Sequence, residues 1–397
     1  MPAPQPRVLF LRATLIVVAI ILPLVVLELA MRAFGPFLPG SAAANLYSAA
    51  HPLYGFARVP GMVGWVRSDE FLSRVAINSL GLREREIPYA KPAGHRRVLM
   101  LGDSFVEGVQ VRPEETAARV LESVLQPRVP GVTQVINAGS GGWSTAQEYE
   151  FLRHEGVQYA PDLVVLVFYT GNDVTDNSFK IKGNVRNLRK PYYALRNGRL
   201  ELQPWTPRRS AAGSAETGRE LYLWNVFQNG VLARVPGRNA TNLDDDDERL
   251  LDQLVETEIR VFSTSQKAEW AEAWDVTEGL IVAARELSEA TQAQFLLVNA
   301  PTVWEIYPAQ WESFRAANKL RADGWDLDAP RRRLADLAGR HGIEYLDLGP
   351  PLVEAARSQP PLYYSKDLHW SAAGQRVVGQ TLAEHIQTRF AATALGQ

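Results

Sequence analysis

Three stretches of the chain read as strands that stop abruptly at glycine and small polar residues, the first and third as continuous apolar runs. They are RVLMLG (Arg97–Gly102), TQVINAG (Thr133–Gly139) and PDLVVLVFYTGND (Pro161–Asp173). A strand with one wet face alternates polar and apolar residues. These do not alternate, so they read as strands buried on both faces. Between them lie PEETAARVLESVLQ (Pro113–Gln126) and AQEYEFLRHEGVQYA (Ala146–Ala160), both with helical spacing of apolar residues. The rhythm resumes later with a helix over Trp274–Glu289, the strand FLLVNAP (Phe295–Pro301), a helix over Arg331–Arg340 and the strand IEYLDLG (Ile343–Gly349). DLHWSAAGQRVVGQTLAEHI (Asp367–Ile386) closes the chain with a turn and a helix. Buried strands alternating with helices predict an α/β domain, a parallel sheet covered by helices on each side.

The chain has 397 residues, enough for one large domain with insertions. Residues 96–397 are read as that domain, with an insertion at about 177–275 where the alternation breaks. The insertion carries Tyr192, Tyr193, Trp205, Tyr222 and Trp224, and the acidic run Asp244–Glu248. Its aromatics read as a small hydrophobic core, with a lid or a carbohydrate groove as the other readings. The acidic run lacks the alternating oxygen-ligand pattern of a calcium loop and reads as solvated. Net charge is −2, so no global field points to nucleic acid. There is no cysteine, which removes thiol catalysis, thiolate metal sites and disulfides, and only six histidines are present. No metal or cofactor is expected.

Ala13–Ala30 reads ATLIVVAIILPLVVLELA, close to the roughly 17–25 residues needed to cross a bilayer. Pro23 is compatible with a membrane helix. Arg7 and Arg12 precede the run and Arg32 follows it. That bias places the N-terminus in the cytoplasm and the bulk of the chain in the periplasm or outside the cell. Residues 1–35 are therefore read as a cytoplasmic tip and transmembrane anchor. A cleaved signal peptide ending near GSAAAN is the competing reading. Residues 36–95, rich in Pro, Gly and aromatics, read as a tether and extension, with INSLGLRE (Ile77–Glu84) as a strand-and-turn piece.

In an open parallel sheet, ligands bind beyond the carboxyl ends of the strands. Those positions hold Ser104 after the first strand, Asn137, Gly139, Gly141 and Gly142 after the second, and Asn172 and Asp173 after the third. Asp367 and His369 follow the last. This set suits acyl transfer. Ser104 can attack an ester carbonyl, His369 can take its proton and return it to the leaving alcohol, and Asp367 can fix the imidazole tautomer. Three donors are available for the oxyanion: the N–H of Ser104 at a helix start, the N–H of Gly142 and the side-chain amide of Asn172. Other serine-hydrolase layouts fit worse. Val106 stands where a nucleophile elbow needs glycine, and the chain contains neither Ser-x-x-Lys nor His-Glu-x-x-His.

These residues, in this order, resemble the SGNH (GDSL-type) hydrolase family. GDSFVEG (Gly102–Gly108) is similar to its first block, with Ser104 as nucleophile. NAGSGGWST (Asn137–Thr145) is similar to its second, with Gly142 as the oxyanion glycine. GND at Gly171–Asp173 resembles its third, with Asn172, and DLHWSAAG (Asp367–Gly374) its last, with Asp367 and His369. Phe105 stands where the name-giving motif has leucine, a change expected to touch no catalytic atom. The resemblance covers about Arg97 to the C-terminus, minus the insertion. It implies a flavodoxin-like three-layer α/β/α domain and a membrane-anchored serine esterase acting on a small-molecule or glycan ester. An O-acyltransferase using the same residues is one alternative, and a non-catalytic glycan-binding or assembly protein is another. Intact serine, glycine, asparagine, aspartate and histidine positions count against the latter. Trp143 and Trp370, next to the oxyanion glycine and the histidine, either wall the acyl or sugar site or pack beneath it.

Overall fold

A computed structural model describes residues 6–34, 48–126, 128, 132–183, 190–205 and 257–394. The GSAAAN stretch, the acidic run Asp244–Glu248, Tyr222 and Trp224 lie outside the described residues. The strands are β1 (Ser48–His51), β2 (Gly55–Arg58), β3 (Val63–Arg67), β4 (Leu72–Ala76), β5 (His95–Gly102), β6 (Val132–Gly139), β7 (Leu163–Tyr169), β8 (Tyr193–Arg196), β9 (Arg199–Leu202), β10 (Gln294–Ala300) and β11 (Tyr345–Asp347).

Five of these form one parallel sheet in the order β11-β10-β7-β5-β6. In chain order within the sheet this is the 2-1-3-4-5 arrangement of a flavodoxin-like doubly wound domain. The apolar runs are buried as their lack of alternation requires. Val98, Leu99, Met100, Leu163, Val164, Val165, Leu296, Leu297 and Val298 are all fully buried. The connection order reverses between β5 and β7, and ligands bind at the carboxyl end of that reversal. Register brings the strand ends level there, with Gly102 opposite Gly139 and Leu101 opposite Leu166.

Helices cover both faces. The short helices α2 (Ser104–Glu107) and α5 (Asp173–Asp176) start at the strand ends. The helix α3 (Ala117–Leu125) packs on the C-terminal helix Ala372–Ala394, and α4 (Thr145–His154) packs on Ala268–Ala290. Thr116 caps α3 by accepting the Arg119 N–H. The helix expected over Pro113–Gln126 is thus divided, a 3-10 turn at Pro113–Glu115 and then α3, because Thr116 is held extended. Likewise α4 ends at His154, and Gly156–Tyr159 form a separate 3-10 turn. Helices at Pro308–Ala317 and Gly349–Ala356 were not anticipated.

N-terminal to the sheet, α1 (Pro6–Phe34) contains an apolar stretch, Phe10–Ala30, that is long enough to cross a membrane and is not buried against the rest of the chain. The extension that follows is described from Ser48 onward. Hairpins β1–β2 and β3–β4 are antiparallel, and Ile77–Glu84 is a turn rather than a strand. Two buried arginines fasten this region to the domain. Arg83 donates to the carbonyls of Glu107, Gly108 and Val111. Arg97 donates to those of Pro88, Tyr89, Ala90 and Tyr159. Burial lowers the Arg83 pKa to about 10, with nearby glutamates opposing the shift.

Candidate active site

Ser104 is the first residue of α2, directly after β5. Asp103 caps that helix, its Oδ1 accepting the Phe105 N–H at 2.9 Å. The helix rests on the end of β6, where a Cβ on Gly139 would lie 2.3 Å from the Glu107 nitrogen. Only glycine allows that approach, so the glycine ending β6 fixes the height of Ser104 above the sheet.

Ser104 Oγ lies 2.8 Å from His369 Nε2, and His369 Nδ1 lies 2.8 Å from Asp367 Oδ1. An ionised carboxylate only accepts, so Nδ1 carries the proton and Nε2 is left to accept from the serine hydroxyl. Ser104 is thereby brought into one hydrogen-bonded line with His369, 265 positions away in sequence, and with Asp367. Leu368, between the acid and the base, has φ +66, a left-handed conformation that costs a branched residue roughly 1–3 kcal/mol. The loop is therefore held by its surroundings. Burial alone would lower the His369 pKa. The hydrogen bond and charge of Asp367, with the Asp103 carboxylate behind them, outweigh it and hold the imidazole above its usual value. The His369 side chain remains 24% exposed, so reactants can reach it.

The donors expected for an oxyanion are the N–H groups of Ser104 and Gly142 and the Asn172 amide. Trp143 N–H closes a turn on the Ser140 carbonyl at 3.0 Å, with Gly142 in its third position at φ +80. The Gly141 N–H is engaged, donating to Glu107 Oε2 at 2.7 Å. The N–H of Gly142, like that of Ser104, has no partner among the described residues. Asn172 follows β7 at the start of α5. Its amide is beside the Asp103 carboxyl and favours that group's charged form, although no well-formed hydrogen bond joins them. Desolvation dominates Asp103 and pushes its pKa up to about 6. Burial also drives Glu148 and Asp173 well above the usual carboxylate range; the Asp103 charge raises both further, and the Glu148 charge adds to the rise of Asp173.

Trp143 and Trp370 do not wall an open site. They are 2% and 0% exposed. Trp143 packs on Tyr54 and Phe151 and donates its indole N–H to the Phe56 carbonyl at 3.0 Å. Trp370 packs edge-on against Phe105, with ring centroids 4.9 Å apart. Phe105 in turn lies 4.7 Å from the His369 ring and 4.0 Å from Tyr169. The expectation that the residue after the nucleophile touches no catalytic atom is therefore corrected, because its ring supports the imidazole.

Sequence reasoning also missed Glu107 and Arg58. Glu107 is buried three positions after Ser104, at the end of the four-residue helix, and its one signal is a charge directly after the apolar pair Phe105 and Val106. Arg58 sits in the segment read as a tether, and nothing local marks it. A cavity of about 760 Å³ lies against Phe179, Tyr192, Trp205 and Ala273; neither Ser104 nor His369 borders it. Among the described residues, no three His, Asp or Glu side chains are arranged to hold a metal ion.

The sequence pattern of the GDSL-like Lipase/Acylhydrolase family matches residues 100–377. The chain belongs to this family. It is a hydrolase acting on ester bonds. No curated protein matches the sequence closely enough to count as a relative. Several solved structures are similar to the chain at low identity. A catalytic mutant of an acetylxylan esterase from Geobacillus stearothermophilus is 12% identical, covering 73% of this chain and 93% of that one, with a TM-score of 0.39. A GDSL-like lipase from Bacteroides thetaiotaomicron VPI-5482 is 14% identical, over 74% and 89% of the two chains, with a TM-score of 0.35. A two-domain esterase active on acetylated mannans is 12% identical, over 77% of this chain and 51% of that one, with a TM-score of 0.37.

Proposed function

We propose that this hydrolase works through an acyl-enzyme on Ser104, and that its substrate is an O-acyl ester of a cell-envelope glycan or lipid. The observation that carries the mechanism is the continuous line from Ser104 Oγ through His369 to Asp367, each link 2.8 Å. In this reading Ser104 Oγ adds to the ester carbonyl carbon while its proton passes to His369 Nε2. The former carbonyl oxygen becomes an oxyanion and takes hydrogen bonds from the N–H of Ser104, the N–H of Gly142 and the Asn172 amide. The imidazolium, balanced by Asp367, gives its proton to the leaving alcohol oxygen as the tetrahedral carbon collapses. Water then repeats the sequence on the acyl-serine, releasing the acid and restoring the hydroxyl.

The envelope assignment rests on the apolar helix. Arg7 and Arg12 before it favour a cytoplasmic N-terminus and a periplasmic or extracellular catalytic domain. A short-chain aryl ester tests the mechanism. Ser104→Ala is expected to abolish turnover while the melting temperature is kept, and retained turnover overturns the nucleophile. Product analysis with an acyl donor and an oligosaccharide tests the acceptor. Free acid is expected, and acylated sugar with little free acid would replace hydrolysis by transfer.

A further inference from the structure

The family pattern begins at residue 100, yet part of what shapes the site lies before it. We propose that the extension between the apolar helix and the domain belongs to the catalytic centre, with Arg58 and Glu70 as positioning residues. Arg58 acts on the oxyanion turn through Glu107, and Glu70 acts on the loop that carries Asp367 and His369.

Arg58, at the end of β2, meets Glu107 with two parallel hydrogen bonds, Nε to Oε1 at 2.7 Å and Nη2 to Oε2 at 2.5 Å. Glu107 is 1% exposed, and its Oε2 also accepts the Gly141 N–H. Arg58 Nη2 lies 3.4 Å from the Gly141 carbonyl oxygen. The pair thus grips both peptides that flank Gly141. A peptide unit is planar and trans, so its C=O and N–H point in opposite directions. The Gly141 carbonyl and the Gly142 N–H belong to one such unit. Holding that carbonyl toward Arg58 keeps the Gly142 N–H on the other side. Two glycines in sequence have no side chains to prevent a peptide rotation, so the grip must come from elsewhere, and Arg58 with Glu107 supplies it. The same extension adds two backbone acceptors to the segment after the turn: the Phe56 carbonyl takes the Trp143 indole N–H, and the Tyr54 carbonyl takes Gln147 Nε2 at 2.7 Å.

Glu70 lies in the turn between β3 and β4. Its carboxylate accepts the N–H and hydroxyl of Ser365 at 2.7 Å each, the N–H of Lys366 at 2.9 Å and the N–H of Asp367 at 2.8 Å. Desolvation on its own would raise its pKa, and the hydrogen bonds from Asp367, Ser365 and Lys366 together outweigh it and bring the pKa below the usual value. Three consecutive amides held on one carboxylate fix the backbone immediately before the left-handed Leu368. That fixes where the Asp367 carboxylate meets His369.

The proposal rests on Ser104 being the nucleophile, and the experiment separates the two. Full-length wild type, Arg58→Lys and Glu70→Gln are compared in detergent for aryl-ester hydrolysis and for labelling of Ser104 by a fluorophosphonate. Arg58→Lys keeps the charge opposite Glu107 but has no second arm for the Gly141 carbonyl. It is expected to lose about tenfold in kcat with KM within about twofold, and to be labelled correspondingly more slowly, a fraction of the loss from deleting one oxyanion donor. Glu70→Gln is expected to shift the rising limb of the pH–rate profile to lower pH, because a displaced Asp367 supports the imidazolium less. Should Glu70→Gln not fold, Glu70→Asp keeps the charge one methylene short and is expected to move the limb in the same direction by less. A folded Arg58→Lys with wild-type kcat and labelling, or Glu70 variants with an unmoved profile, overturns the proposal. Absence of any Ser104 adduct in the wild type would instead overturn the nucleophile.

Discussion

Gly142→Ala tests the oxyanion turn directly. A Cβ at this position would lie 3.5 Å from Phe56 Cζ and 3.9 Å from Cε2, ordinary van der Waals contact, so no clash forbids alanine. The cost is conformational. At φ +80 an L-residue is disfavoured by roughly 1–2 kcal/mol. The turn can relieve this by rotating the Gly141–Gly142 peptide, which gives up one long contact, the 3.4 Å approach of Arg58 Nη2 to the Gly141 carbonyl. The strain thus matches or exceeds what holds the peptide in place. A penalty of about 1–2 kcal/mol lowers the competent population by about 5- to 30-fold. Complete loss of the donor would cost about 10²–10³ in kcat. The expected result is a fall of about 5- to 30-fold in kcat for an aryl ester, with KM little changed. Gly342→Ala is the control. Gly342 ends the helix Ala329–His341 at φ +61 with nothing within 4 Å of its Cβ direction. It carries similar strain far from Ser104, so both variants should lose about 2–8 °C in melting temperature, while only Gly142→Ala loses kcat. A folded Gly142→Ala with kcat within about threefold of wild type would refute the Gly142 N–H as an oxyanion donor.

Because His369 is held above 6.5, kcat/KM should climb with pH through a midpoint above that value, as the imidazole loses its proton and becomes a base. Asp367→Asn removes the support and leaves desolvation, so the midpoint should fall and kcat should drop by about 10³–10⁴. The stability from His369 is fully present below pH 6.5 and is lost as pH rises through the folded pKa, so the variant's deficit in thermal melts should shrink at alkaline pH. An unmoved midpoint would contradict this. Asp103 has the opposite consequence: its folded pKa of about 6 lies above its ordinary 3.8, so ionising it costs stability as pH rises across that window. Asp103→Asn keeps an acceptor for the Phe105 N–H and cannot ionise. It should be more stable than wild type at pH 8 by about 1–3 kcal/mol, with the difference vanishing below about pH 4, and its rate midpoint should fall slightly. A less stable variant at pH 8 would refute the burial argument.

The sheet was legible because burial on both faces writes itself into sequence. Val98–Leu101 and Leu163–Phe168 need no partner to be recognised as strands, since few other structures hide so many consecutive apolar side chains. Helix ends were less legible. Thr116 and Gly156 interrupt helical patterns through local hydrogen bonding and chain packing, which apolar spacing does not register. The helix Pro308–Ala317 buries little beyond Trp311, so its apolar stripe is too thin to stand out.

The site divides along a similar line. Ser104, Asn172 and His369 each follow an apolar run or a turn, and their types suit one reaction, so strand-end position and chemistry together single them out. What holds them does not have that signature. Arg58, Glu70 and Glu107 are charged residues in a hairpin, a turn and a short helix, settings in which charge ordinarily means solvent. Their roles arise from contacts 34 to 297 residues apart in sequence. Each grips backbone: the Arg58–Glu107 pair holds the Gly141 amide and carbonyl, and Glu70 holds the amides before Leu368. Backbone groups are present at every residue, so a side chain that recognises them leaves no complementary residue type in the sequence to pair it with. A nucleophile and its base announce each other chemically. A clamp on a peptide unit becomes visible only when the fold brings the chain back to it.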